Sequence, residues 1–292
     1  MVFARSGDID FIQKVIHSKL NGFVHSTFKR TVNIQCLEDG ELYTIACNEI
    51  DNGPNTLIVD LAVFEDINVL DKVHSVNNII SIGNKMSITI DKAKKWESIL
   101  PTYHANTGVL KNNIKIMKQY IDIHGKSGGI KSNTVNESPF EQEMSKMLQE
   151  RKGLLVNELS NKRLHEAIPH AVSLLGLGPG LTPSGDDFLV GLFTSFQLKN
   201  SPFANYQWFF EEIERVAKTA TNEISYIAIK KASVGKIRES IIVLVNALFE
   251  ENEEQLILSL KKVLNIGSSS GTDIALGILT GLEINIKIGG SL

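Results

Sequence analysis

Through the first hundred residues the apolar positions come in short runs of β-branched and aromatic side chains, broken by polar turns. Val24 to Leu37, Leu42 to Cys47, Thr56 to Val63, Ile79 to Ile82 and Lys85 to Ile90 read as strands. Asp39-Gly40 and Asn52-Gly53-Pro54 supply turn chemistry between them. A short helix is expected over Ile9 to Leu20. From about residue 110 the period changes to three and four: Leu110, Ile114, Met117 and Ile121 share one helical face. His124 to Glu137 is polar, rich in Gly, Ser and Asn, and aperiodic, so it reads as a loop. Ser138-Pro139-Phe140-Glu141 then combines an N-cap serine, a proline at the first helical position and a glutamate three residues after the cap. Helical periodicity follows over Glu166–Leu175, Phe188–Leu198, Trp208–Ile229, Lys236–Phe249, Glu253–Leu264 and Ile274–Leu282. The expected class is α+β: an antiparallel, barrel-like β-rich domain over 1–105, a helix and flexible connection over 106–138, and a mostly helical domain over 139–292.

Two helix starts in the second half echo each other. Pro183-Ser184-Gly185-Asp186-Asp187 leads into Phe188-Leu-Val-Gly191-Leu-Phe-Thr194, and Ser270-Gly271-Thr272-Asp273 leads into Ile274-Ala-Leu-Gly277-Ile-Leu-Thr280. Both read Ser-Gly-x-Asp, three apolar residues, Gly, two apolar residues, Thr. Small residues precede each: Gly176 to Thr182 in one copy and Gly267-Ser268-Ser269 in the other. One account is local, with serine and acid forming a capping-box variant and the inner glycines allowing close packing. On that account Asp187 and Asp273 cap, and Asp186 is the freer acid. The other is functional. Helix N-termini expose backbone N–H groups at the positive end of the dipole, and two paired ends would converge on one small anion. The acids would repel it unless they cap amides, bind a cation or orient a nitrogen nucleophile. The candidate catalytic residues are Asp186 and Asp187. Candidate substrate contacts are Gly180, Thr182, Ser184, Gly185, Ser268, Ser270, Gly271, Thr272 and Asp273, with Mg²⁺ on the three acids as a weaker alternative.

Composition narrows the classes. The chain has 292 residues, 42% of them hydrophobic and 22% charged, with a net charge of −3. That balance argues against a dedicated nucleic-acid or anionic-membrane binder. Cys36 and Cys47 are the two cysteines, too few for a disulfide scaffold or cysteine-ligated zinc. Apolar stretches fall short of a membrane span, and the start lacks a signal-peptide core, so a cytoplasmic protein without cofactor is expected.

Other motifs fail on context. Gly125-Lys126-Ser127 lacks the upstream glycine of a P-loop. Gly267 to Gly271 matches a nucleophile elbow by letter, but no histidine follows His170. On the strand over Val24 to Leu37, Ser26 and Arg30 should share a face with His25 on the other. His25, Ser26 and Arg30 are therefore candidates to reach the ligand from the β-rich domain across a cleft, Arg30 by its fork of donors. Lys126 and Lys131 would let the loop over 124–137 close over an anion, the alternative being a plain connection.

The string Gly178-Pro-Gly-Leu-Thr-Pro-Ser-Gly-Asp-Asp-Phe-Leu189, with Gly267-Ser-Ser-Ser-Gly-Thr-Asp273 late in the chain, resembles the DUF2877 family, which includes the AllH subunit of the bacterial oxamate carbamoyltransferase. The likeness extends to Val24-His-Ser-x-Phe28, Arg30, Asn33 and Gly53-Pro-Asn55. The resemblance implies carbamoyl transfer between carbamoyl phosphate and oxamate in allantoin breakdown, with FdrA-like partner subunits. The alternative is a non-catalytic subunit that binds a carboxylate or phosphate, or shapes the assembly. The Ser-x-Arg-Thr phosphate motif of aspartate and ornithine transcarbamoylases is missing, so any such enzyme here is a different solution.

Overall fold

The computed structural model describes residues 1–104, 108–131 and 138–289. They form two compact units, Met1–Ser98 and Ile99–Leu292.

The first unit is a closed barrel. Its elements are β1 (Val2–Asp8), α1 (Ile9–Ile16), β2 (Asn21–Thr27), β3 (Thr31–Cys36), β4 (Leu42–Ala46), β5 (Thr56–Val59), β6 (Lys72–Val76), β7 (Ile79–Ile82), β8 (Met86–Thr89) and β9 (Lys94–Trp96). The strand order β5-β4-β3-β2-β6-β7-β8-β1-β9 closes through pairing of β1 with β5. Closure leaves no long free edge to aggregate. The barrel is mixed, which corrects the antiparallel expectation: β4–β5, β1–β8 and β1–β9 run parallel. Alternate residues fill the inside, among them Val24, Val32, Ile34, Ile45, Leu57, Val59 and Ile80, all fully buried. The run over Val24 to Leu37 is two strands, because the backbone turns between Thr27 and Thr31. β1 escapes a reading by pattern, since Arg5, Ser6 and Gly7 dilute its apolar signal.

The second unit is helical: α2 (Gly108–His124), α3 (Pro139–Ser160), α4 (Leu164–Leu174), α5 (Ser184–Phe196), α6 (Gln207–Ala220), α7 (Glu223–Ala232), α8 (Glu239–Ala247), α9 (Glu253–Leu264) and α10 (Ser270–Gly289). Ser138 and Glu141 make the capping box their spacing implies, each side chain meeting the other's backbone N–H. The long periodic run from Trp208 is two helices. Thr221 is extended and the Asn222 side chain caps α7 by accepting from the Ser225 N–H.

At the centre lie α5 and α10. All 13 residues of α5 are buried. A helix buried on every side must be wrapped by others. The two cross where the echoed glycines meet: a Cβ on Gly191 would stand 2.0 Å from the Ile274 carbonyl oxygen, and one on Gly277 2.1 Å from that of Phe188. No residue with a side chain fits at either position.

Candidate functional site

The two Ser-Gly-x-Asp segments come together at the N-terminal ends of α5 and α10. Thr182 Oγ1 and Ser270 Oγ lie 2.8 Å apart across the pair. The symmetry reaches the preceding helices. A Cβ on Gly185 would sit 2.0 Å from the Leu174 carbonyl oxygen, at the end of α4, and one on Gly271 1.9 Å from that of Val263, at the end of α9. Gly185 and Gly271 thus let each central helix start directly against its predecessor. The glycines of the first connection serve a different need. Gly176, Gly178 and Gly180 have φ of 69°, 125° and 90°, a region closed to most side chains.

The serines open the helices rather than cap them. Pro183 holds the cap position of α5 and supplies no side-chain bond. Most of the first amides are already taken. The N–H of Gly185 donates to Leu177, those of Asp186 and Asp187 to Pro183, that of Gly271 to Ile266, and those of Thr272 and Asp273 to Ser269. The free-amide basis for anion binding is therefore largely absent. Gly180 and Ser268 are exposed at the rim.

The acids divide in a way that reverses the sequence-based assignment. Asp186, fully buried, accepts from the Gly176 N–H at 2.8 Å, from Ser225 Oγ at 2.7 Å and from Thr221 Oγ1. Burial raises its pKa and these three donors oppose the rise. It ties the glycine loop and the start of α7 to α5. Asp187 and Asp273 do not cap; each is buried with one carboxylate oxygen, Oδ2, that has no hydrogen-bond partner among the described residues. Burial, with Asp273 and Asp186 nearby, pushes Asp187 up to about 8, while the hydroxyls of Ser270 and Thr182 pull the other way. Burial pushes Asp273 up to about 6 against the Ile130 N–H, the hydroxyls of Ser184 and Ser269, and the charge of Lys152. The hydroxyls that favour each ionised acid come from both segments, Ser270 and Thr182 for Asp187 and Ser184 and Ser269 for Asp273. Since Asp186 turns elsewhere, the three acids are not gathered. Among the described residues no cluster of His, Cys, Asp and Glu is placed to hold a metal ion.

A strap from the second unit covers the pair. The Lys126 N–H donates to Thr272 Oγ1 at 2.8 Å and the Ile130 N–H to Asp273 Oδ1 at 2.9 Å. Gly129 fits between the helices, where a Cβ would be 2.2 Å from Asp273 Oδ2 and 2.7 Å from Ser184 Oγ. The lysines of this strap are engaged with backbone carbonyls. Lys126 Nζ donates to the Gly267 carbonyl, and Lys131 Nζ to those of Ile121, Asp122 and Gly125, closing the end of α2. Residues 132–137 of the expected loop lie outside the described residues.

In the barrel unit Arg30 stands in the turn between β2 and β3, not on a strand, exposed and 3.7 Å from Glu49. Ser26 joins a chain across three strands: Asn33 Nδ2 donates to Ser26 Oγ at 2.9 Å and Thr44 Oγ1 to Asn33 Oδ1 at 2.8 Å. The register shifts between Val24 and Ser26, and His25 Nδ1 lies 3.1 Å from Ser26 Oγ, so the alternation expected there fails at a bulge.

The residue that pattern reading missed is Lys152. Its ammonium lies 5.7 Å from the Phe188 ring centroid and its charge acts on Asp273. No short motif marks it, because its partners come from other helices. A 540 Å³ cavity lined by Tyr103, Lys162, Phe203 and Tyr206 among others shares no residue with the Asp pair.

No solved structure matches this chain. Two family descriptions do: residues 3–95 match the AllH family N-terminal domain, and residues 174–282 match the oxamate carbamoyltransferase subunit AllH. The second match takes in the glycine loop, both Ser-Gly-x-Asp segments and the crossing glycines, and with the first it spans both units; the chain belongs to the AllH family.

Proposed function

We propose that this chain handles the small substrate of an oxamate carbamoyltransferase-type enzyme, and that the N–H end of the substrate meets Asp187 and Asp273. The supporting observation is the pair itself: two buried carboxylates from crossed helix ends, each with an unpartnered oxygen. An unmatched buried acceptor costs about 1–3 kcal/mol, more when charged, and an –NH₂ group supplies the donors it lacks. A phosphate in the same place would be repelled.

Carbamoyl transfer needs no protein nucleophile. It needs alignment of the two reactants and a place for one proton. The amide nitrogen of oxamate forms the new C–N bond to the carbamoyl carbon as the C–O bond to phosphate breaks. The proton lost from nitrogen goes to the ionised carboxylate of the pair. Crowding two buried acids keeps one protonated near neutral pH, so the pair both donates to a carbonyl oxygen and accepts from nitrogen. Asp186 takes no part in this step, because its carboxylate is committed to structure. FdrA-like partner subunits and an origin of the substrate in allantoin breakdown belong to the same proposal.

The occupied helix amides favour a second reading, a subunit that shapes the assembly without touching substrate. Activity of the enzyme assembled with partner subunits separates the two. Asp187→Asn and Asp273→Asn should each lower turnover at least about a hundredfold, the scale of general acid–base catalysis, with assembly intact. Undiminished turnover in both variants would leave the assembly reading standing.

A further inference from the structure

Helix α3 carries three polar residues toward the strap and the Asp pair. Ser145 Oγ donates to the Gly129 carbonyl at 3.0 Å and Gln149 Nε2 to that of Ile130 at 3.2 Å. Lys152 comes one turn later, on the same face. Its ammonium stands over Phe188, the residue that follows Asp187. The charges acting on it are Asp273 and Glu283 from α10, which favour the ammonium, and Lys118 from α2, which opposes it; burial outweighs them and lowers its pKa. Among the described residues no carboxylate lies within ion-pairing distance of this ammonium. A half-buried lysine normally sits against a carboxylate, since the desolvated charge needs compensation. Here Glu283 lies 3.6 Å from the Lys118 ammonium and Asp273 accepts from the Ile130 N–H, so among the described residues the Lys152 cation has the Phe188 face but no carboxylate against it.

We propose that Lys152 is the specificity-determining cation of the site, binding the anionic end of a small substrate whose amide end meets Asp187 and Asp273. The proposal rests on the reading of the Asp pair given above. It defines the ligand class as a short molecule with an –NH₂-bearing carbonyl carbon bonded directly to a carboxylate carbon or to a phosphate oxygen. Each end then finds a complementary charge or acceptor, and a molecule with only one of the two ends leaves half the site unmatched.

Three probes separate the halves: oxamate has both ends, oxamide has the amide without the charge, and oxalate has the charge without the amide. Isothermal titration of the full chain should show oxamate bound most tightly. Lys152→Met should weaken oxamate about tenfold, the size of one charge-assisted hydrogen bond, and leave oxamide unchanged. Lys152→Arg should keep the preference. Asp187→Asn should erase the preference for oxamate over oxalate without touching that over oxamide. If Lys152→Met weakens oxamate and oxamide equally, or neither, the role of Lys152 is overturned while the Asp pair stands. If the wild type binds oxalate as well as oxamate, the reading of the pair falls first. A second readout guards against a purely structural effect: removing the charge at residue 152 should raise the titration midpoint of the Asp273 carboxyl carbon, followed by NMR. An unmoved midpoint also counts against the proposal.

Discussion

Asp186 and Asp187 are neighbours in sequence with opposite duties, and helix geometry accounts for it. Successive positions on a helix point about 100° apart, so adjacent acids look at different surroundings. Asp186 meets three donors and Asp187 meets another acid. Asp186→Ala should cost about 3 kcal/mol, since it strands buried donors on Gly176, Thr221 and Ser225; denaturant unfolding measures it. Asp187→Asn should act the other way at high pH. The native carboxyl, at about 8 against an ordinary value of 3.8, binds its proton more tightly than the unfolded one does. Stability is therefore lost as pH rises from about 4 to about 8, and the loss is complete above that window. Asparagine has no such loss. Near pH 9 the variant should melt higher than the wild type by at least about 2 °C, and near pH 4 the two should agree. Parallel melting curves for both proteins across that range would refute the assignment.

At the scale of elements, what the sequence reveals follows how local the cause is. The capping box at Ser138 and Glu141 closes within four residues, and it is present as written. The echo of Ser-Gly-x-Asp is legible too, because two helices packed face to face need glycine at the same depth. The duties of the acids are not legible, since their partners Thr221, Ser225 and Ile130 are distant in the chain. The strand placement of Arg30 failed for a local reason: the hairpin turn interrupts an otherwise continuous β-branched run. Crossing of α5 and α10 has its own test. Gly191→Ala gains about 1 kcal/mol in helix propensity. Its Cβ would meet the Ile274 carbonyl oxygen at 2.0 Å, and backbone cannot yield as a side-chain tip does. The net should be a loss of about 2 kcal/mol or more, seen as an earlier midpoint in denaturant. A neutral or stabilising result would show that the helices tolerate separation.

For the whole molecule, the two units have hydrophobic cores with no residue in common. Calorimetry should accordingly find a calorimetric enthalpy larger than the van't Hoff value, the mark of more than one cooperative step; equality of the two would mean that the units melt as one. The helical unit is the more demanding to assemble. Its innermost helix, α5, is buried all round, and the partner that matches its glycine begins only at Ser270, 86 positions after Ser184. Contacts of such long range form late in folding, after the loop-closure entropy has been met. Until α10 arrives, α5 is a thirteen-residue stretch that must hide from water by other means. A chain interrupted before Ser270 keeps that stretch and loses its cover, so nonsense or frameshift lesions late in the gene would yield aggregates rather than a partly active protein. Quality control in the cell would thus meet such truncated chains as insoluble material before any loss of function became visible.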